Sequence, residues 1–72
     1  MKKIDKRFGV IAVEKGFITT EQLFDAIKIQ LLEEIGNSNH RLIGEILQDK
    51  GYLSQLQVKE VLKSIPDSYL RS

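Results

Sequence analysis

Apolar residues recur every three or four positions along most of the chain, and no stretch alternates strictly between apolar and polar residues. This spacing is typical of amphipathic α-helices, because about 3.6 residues complete one helical turn. The pattern predicts four helices, over roughly residues 4–15, 19–35, 41–50 and 54–64. Pro66 prevents the last helix from continuing. We therefore predict an all-α fold of four short helices.

The same spacing predicts which side of each helix is buried. On the first helix that side carries Ile4, Phe8, Ile11 and Ala12, and on the fourth it carries Val58, Val61, Leu62 and Ile65. The second helix has a broad apolar face made of Leu23, Phe24, Ala26, Ile27, Leu31 and Ile35. Ile29 and Leu32 point away from that face, which makes them candidates for contact with a partner protein or with a second copy in a homodimer. The alternative is that the linker or the C-terminal tail covers them.

The chain repeats itself at an offset of 35 residues. Residues 8–19 align with residues 43–54, and both segments contain a Lys-Gly pair followed by an aromatic, an aliphatic and a hydroxyl residue. A repeat of this kind indicates duplication of one supersecondary unit. We therefore predict a single domain, residues 1–72, built from two helix-turn-helix hairpins at about 7–30 and 42–65.

The residues at the two predicted turns explain why each hairpin bends there. Gly16 and Gly51 follow a lysine and suit the left-handed conformation that ends many helices. Thr19 and Ser54 are each followed three residues later by Gln, the pattern of a capping box at a helix start. The segment 36–40 then links the two hairpins.

Composition limits the classes of function. The 72 residues carry 11 basic and 10 acidic side chains, and the resulting net charge of +1 is too small to attract nucleic acid or a membrane surface. The absence of cysteine excludes disulfides and thiolate chemistry. No apolar run approaches the roughly 18 residues of a membrane span, and no signal-peptide core follows the basic start. We expect a cytoplasmic protein that does not insert into the membrane.

No pattern of residues indicates catalysis or metal binding. His40 is the only histidine, and the aspartates are not spaced as metal ligands. Glu33 and Glu34 are adjacent and point to different sides of a helix, so they do not converge on one substrate. Ser54 has no basic partner, and its capping role accounts for it. We predict that the protein is not an enzyme, binds no metal and needs no cofactor.

The repeated residues resemble the N-terminal domain of type II secretion and type IV pilus assembly ATPases. The resemblance spans about residues 7–65 and is carried by Arg7-Phe8-Gly9, Gly16-Phe17-Ile18-Thr19, Leu23, Ile27 and Gln30, then by Gly44-Glu45-Ile46-Leu47, Gly51-Tyr52-Leu53-Ser54, Val58 and Leu62. It implies a bacterial docking or regulatory domain that binds a protein of a secretion or pilus machine. The chain lacks the Gly-x-x-x-x-Gly-Lys-Ser/Thr loop that cradles a triphosphate, so it does not itself hydrolyse ATP.

In one branch of that family the domain binds cyclic di-GMP through both motifs, so the resemblance implies this nucleotide as an alternative ligand. Arg7 suits a phosphate or a guanine edge. Gly9 would let a ligand approach the backbone, and Gln30 would hydrogen-bond a base edge. These three residues are the candidate site in the first copy.

The second copy departs from the family pattern. Its candidate ligand residues are Arg41 and Gly44, but Leu42 stands opposite Arg7 and Ile65 replaces the closing Gln. A shift of one residue turns a side chain by about 100° around a helix, so Arg41 need not reach an equivalent pocket. The alternative is that both arginines are solvated charges at helix starts.

A small helix-turn-helix DNA-binding protein is a further alternative, because short hairpins with glycine turns and a basic N-terminus occur in that class. The net charge of +1 and the acidic side chains of the second and fourth helices disfavour nucleic acid as a partner. The family usually carries a motor domain behind this one. The initial Met1 and the polar tail after Pro66 lead us to expect a lone adaptor rather than a fragment.

Overall fold

The computed structural model describes residues 3–36 and 40–66, which form four α-helices with no strand among them. Their bounds are Lys3–Glu14 for α1, Thr20–Ile35 for α2, Ile43–Asp49 for α3 and Gln55–Lys63 for α4. The all-α prediction is confirmed, and each helix end lies within two residues of the predicted one. The middle of the predicted linker, residues 37–39, lies outside the described residues.

The turns between α1 and α2 and between α3 and α4 have the same hydrogen-bond pattern. Gly16 and Gly51 have φ angles of 75° and 80°, the left-handed region that favours glycine. The N–H of the residue after each glycine donates back to a helix carbonyl, to Ala12 at 3.0 Å and to Leu47 at 2.9 Å. This is the Schellman arrangement, and it satisfies carbonyls that the helix end would otherwise leave unpaired.

Both predicted capping boxes are present. Thr19 Oγ1 accepts a hydrogen bond from the Gln22 N–H at 3.1 Å, and Gln22 Oε1 accepts one from the Thr19 N–H at 2.9 Å. Ser54 and Gln57 repeat both bonds at the same distances. The two turns are therefore built alike, while the repetition of the complete hairpins stays a prediction.

The core lies where α1 and α3 meet, because each of these helices contacts all the others, whereas α2 and α4 do not touch in the described part of the chain. The turn residues Ile18 and Leu53 also contribute buried side chains to it. Its buried side chains are Phe8, Ile11, Ala12, Ile18, Ala26, Ile43, Ile46, Leu47, Leu53, Val61 and Ile65.

The predicted buried face of α2 is wrong for three of its members. Phe24, Leu31 and Ile35 are each at least half exposed. Ile29, predicted to point outward, is half-buried and packs against the core. Leu32 is exposed, as predicted.

The error arises because α2 carries apolar residues on two opposite sides. Its most buried residues are Ala26 and Gln30, and about 100° of rotation per residue places Phe24 and Ile35 on the far side. Because the polar Gln30 lies at the centre of the inner face, the pattern of hydrophobic residues does not identify that face as buried.

The predicted stripes of α1 and α4 hold with one exception. Phe8, Ile11 and Ala12 are buried on α1, while the side chain of Ile4 lies outside the described ones. On α4 and just after it, Val61 and Ile65 are buried and Val58 is half-buried. Leu62 is exposed, and it lines a groove together with Phe8 and Val58.

Candidate functional site

Two shallow grooves lie beside the buried residue Asp5. The first, of about 260 Å³, is lined by Asp5, Lys6, Val10, Leu23, Ile27 and Ile43. The second, of about 240 Å³, is lined by Asp5, Phe8, Leu42, Glu45, Val58 and Leu62, with Gly44 and Gln48. Most of these side chains are aliphatic or aromatic, so both grooves are apolar.

The grooves are lined by residues at equivalent positions of the two predicted repeats. Leu23 and Ile27 line the first groove, and the residues 35 positions later, Val58 and Leu62, line the second. Phe8 in the second groove likewise aligns with Ile43 in the first. The chain thus presents two similar apolar surfaces, one on each side of α1.

Neighbouring side chains fill the space beside both candidate glycines. A Cβ atom on Gly9 would lie 2.6 Å from Cδ1 of Leu23, and one on Gly44 would lie 2.9 Å from Cζ of Phe8. Both residues are buried. The sequence predicted that Gly9 opens the backbone to a ligand, but neighbouring side chains fill that space, and the same is true of Gly44.

Gln30 belongs to a buried polar network that joins three helices. Its Nε2 donates to Asp5 Oδ2 at 2.9 Å and to the Arg41 carbonyl at 3.1 Å. The Ile43 N–H donates to Asp5 Oδ1 at 3.3 Å, so a carboxylate from α1 caps the start of α3. The amide hydrogens of Gln30 are thus engaged inside the protein rather than available to a base edge.

Asp5 is the residue of this region that the sequence did not identify. It is 5 % exposed and lines both grooves. An aspartate in the first turn of a helix is ordinary in sequence, since it favours the helix dipole wherever its side chain points. Only its contacts across 25 and 38 residues of sequence distinguish it.

Arg41 is held by two carboxylates. Its Nε donates to Glu33 Oε2 at 3.1 Å, and its Nη1 donates to Asp49 Oδ2 at 2.6 Å. The hydrogen bond from Arg41 lowers the pKa of Glu33 below its usual value, and the bond to Glu33 raises the pKa of Arg41. The positive charge is therefore largely neutralised, which weakens its attraction for an anionic ligand.

Arg7 differs from Arg41. Its Nε atom is buried and has no hydrogen-bond partner within the described residues. No hydrogen bond in that part of the chain joins Arg7 to the network of Gln30 and Arg41. Of the candidate ligand residues, Gln30 and Arg41 are therefore joined by a hydrogen bond, and Gly44 packs against Phe8. Arg7 belongs to neither contact.

The described residues contain no cluster of three or more His, Asp or Glu side chains suited to hold a metal ion. His40 is exposed, just before α3. Across residues 3–36 and 40–66, no helix combines the length and the apolar character that crossing a bilayer requires.

Comparison with known proteins finds no match for this chain. No family model matches the chain, and neither the curated proteins nor the solved structures yield a match. Function is therefore inferred from the grooves and their polar surroundings.

Proposed function

We propose that this protein is a non-catalytic docking module that binds an apolar segment of another protein in one or both grooves beside Asp5. The apolar lining of the grooves carries the proposal. The resemblance to secretion and pilus ATPase domains supplies the class of partner, a protein of a secretion or pilus machine.

The physical reason lies in the balance of apolar and polar groups at the grooves. Each apolar Å² removed from water contributes about 25 cal/mol, so aliphatic side chains of a partner gain free energy by filling these grooves. A polar ligand needs hydrogen-bond partners to offset its loss of water. The nearby groups that would serve, Gln30 and Arg41, are already bonded to Asp5, Glu33 and Asp49.

Site-specific photo-cross-linking in the source cells tests this proposal. A photoreactive phenylalanine derivative is placed at Lys6, an exposed position of the first groove, or at Glu45, an exposed position of the second. We expect a cross-linked product with a secretion or pilus component from at least one of these positions.

Lys59 is the matched control, because it is exposed on α4 and lines neither groove. The control position should give no product with that component. Equal cross-linking from Lys59, or no product from either groove position, would refute docking in the grooves.

Cyclic di-GMP binding is a second candidate, and one observation favours it. The buried Nε of Arg7, unpartnered within the described residues, is a donor that a phosphate or a guanine edge would satisfy. Calorimetric titration with cyclic di-GMP tests this candidate. Saturable heat that disappears in Arg7→Ala would support it, and absence of heat from the unmutated chain would remove it.

A further inference from the structure

The outer face of α2 is an apolar surface outside both grooves. Phe24, Leu31, Leu32 and Ile35 are 66 %, 50 %, 59 % and 81 % exposed. Helical geometry places Phe24, Leu31 and Ile35 along one line, with Leu32 beside them. Together they present on the order of 400 Å² of apolar surface, comparable with the largest patch of a typical monomer, which is often functional.

The fold does not require this surface. At the positions 35 residues later, Lys59 stands in place of Phe24 and Pro66 in place of Leu31. The corresponding outer side of α4 therefore carries Lys59 and Lys63 beside one exposed leucine, Leu56, although α4 begins with the same capping box as α2. A continuous apolar stripe along the outer side is thus found on α2 and not on α4, which indicates a role other than folding.

We propose that α2 packs against α2 of a second copy of this chain in an antiparallel arrangement. Phe24, Lys28, Leu31 and Ile35 follow the alternating spacing of four and three residues that forms the seam between two paired helices. One antiparallel register places Phe24 opposite Ile35 of the second copy. The same register places Leu31 opposite Lys28 of the second copy, where the apolar stem of the lysine covers the leucine.

Charge complementarity selects a second copy as the occupant. In this register Lys28 lies level with Leu31 of the other chain. Glu34 of that chain is three residues further along, so it is about 4.5 Å away from Lys28 along the helix axis. Both side chains are exposed and within reach of each other, and two-fold symmetry forms the pair twice. Glu21 and Glu34 beside the stripe disfavour an anionic membrane as the occupant.

The small size of the surface favours a weak dimer. Two such faces bury on the order of 800 Å², less than the roughly 1,200 Å² at which stable complexes begin. We therefore expect a reversible dimer with a dissociation constant on the order of 100 µM. The dimer uses a different surface from the grooves, so the dimer proposal does not depend on the proposed function.

Sedimentation equilibrium of the full chain tests the proposal, over about 10 µM to about 1 mM. The average mass should rise with concentration from 8.2 kDa toward twice that value. Phe24→Lys or Ile35→Lys should weaken association at least about tenfold, since each places a charge in the seam. Leu56→Lys is the matched control, because Leu56 is 74 % exposed on α4 and lies outside the face, so it should leave association unchanged.

A charge swap tests the register itself. Lys28→Glu and Glu34→Lys should each weaken the dimer about threefold, and the double variant should restore it, because opposite charges face each other again. Circular dichroism checks that each variant is folded. A monomer at about 1 mM, equal weakening by Leu56→Lys, or a double variant that does not recover would overturn the proposal.

Discussion

Gly9 and Gly44 occupy equivalent positions of the repeat, yet they meet neighbours of different stiffness. Gly9 faces the flexible end of the half-buried Leu23, while Gly44 faces the ring of Phe8, which approaches at 2.9 to 3.3 Å. An aromatic ring held in the core cannot move aside as a leucine terminus can. The same added methyl group should therefore have different costs at the two sites.

Gly44→Ala should lower the free energy of unfolding by about 1–3 kcal/mol, the usual cost of overpacking a core. Gly9→Ala should stay within about 1 kcal/mol of the parent, because the gain in helix propensity offsets the shift of Leu23. Urea denaturation of both variants measures the difference. Equal destabilisation by the two substitutions would show that Phe8 yields to an added methyl group as readily as Leu23 does.

The ion pair of Glu33 with Arg41 predicts a pH dependence. Because Arg41 lowers the pKa of Glu33 in the folded chain, the unfolded chain binds this proton more readily. The stability from this pair is present above the ordinary value of 4.5 and is lost as pH falls through the lowered folded pKa. Glu33→Gln should therefore destabilise the protein at neutral pH, and its difference from the parent should shrink in acid.

Urea denaturation at pH 7 and at about pH 3 measures this change. Glu14→Gln removes an exposed carboxylate at the end of α1 and serves as the control. A Glu33→Gln difference that stays constant across this pH range would show that the carboxylate contributes no pH-dependent stability.

Individual roles were harder to predict from the sequence than residue types. The resemblance described above groups Arg7, Gly9 and Gln30 as one candidate site. Their contacts depend on residues far away in sequence: Leu23 fills the space at Gly9, and Asp5 engages Gln30. A motif records which residues are present but not which neighbours use their polar groups.

The helix ends depend on positive φ at two glycines. A β-branched residue tolerates this conformation poorly, so Gly16→Val and Gly51→Val should each destabilise the protein by more than about 1 kcal/mol. Gly36 is the control, because its φ of −75° lies in the ordinary helical region, and Gly36→Val should cost less. Thermal melts measure all three, and equal shifts at the three positions would contradict this account of the turns.

The elements were predictable where their signals are local. A glycine after lysine and a hydroxyl residue three positions before Gln determine contacts within a few residues, and these turns formed as predicted. The orientation of α2 is not determined by residues near it in sequence. It depends on the packing of α2 against α3 and on the hydrogen bond between Gln30 and Asp5, neither of which a hydrophobic pattern contains.

At the scale of the whole molecule, Asp5 connects α1 with α2 and α3. Asp5→Ala removes the acceptor for both Gln30 and the Ile43 N–H, and buried donors left unpaired cost about 1–3 kcal/mol. We expect a loss of that size in urea denaturation.

Asp25→Ala is the matched control for Asp5→Ala. Asp25 accepts a hydrogen bond from Tyr52 at 3.1 Å and pairs with Lys50 at 3.6 Å, but it is partly exposed, so water can replace both partners. Asp25→Ala should therefore lower the free energy of unfolding by less than Asp5→Ala does. A smaller effect at Asp5 than at Asp25 would mean that the buried network does not hold the helices together.

We propose the two apolar grooves beside Asp5 as the docking surface. Nuclear magnetic resonance titration of the ¹⁵N-labelled chain with a peptide from the cross-linked partner examines this proposal residue by residue. We expect the amide chemical-shift changes to concentrate at groove residues such as Val10, Ile27 and Val58. Shifts confined to α4 positions outside both grooves, such as Lys59, or no shifts at all, would contradict it.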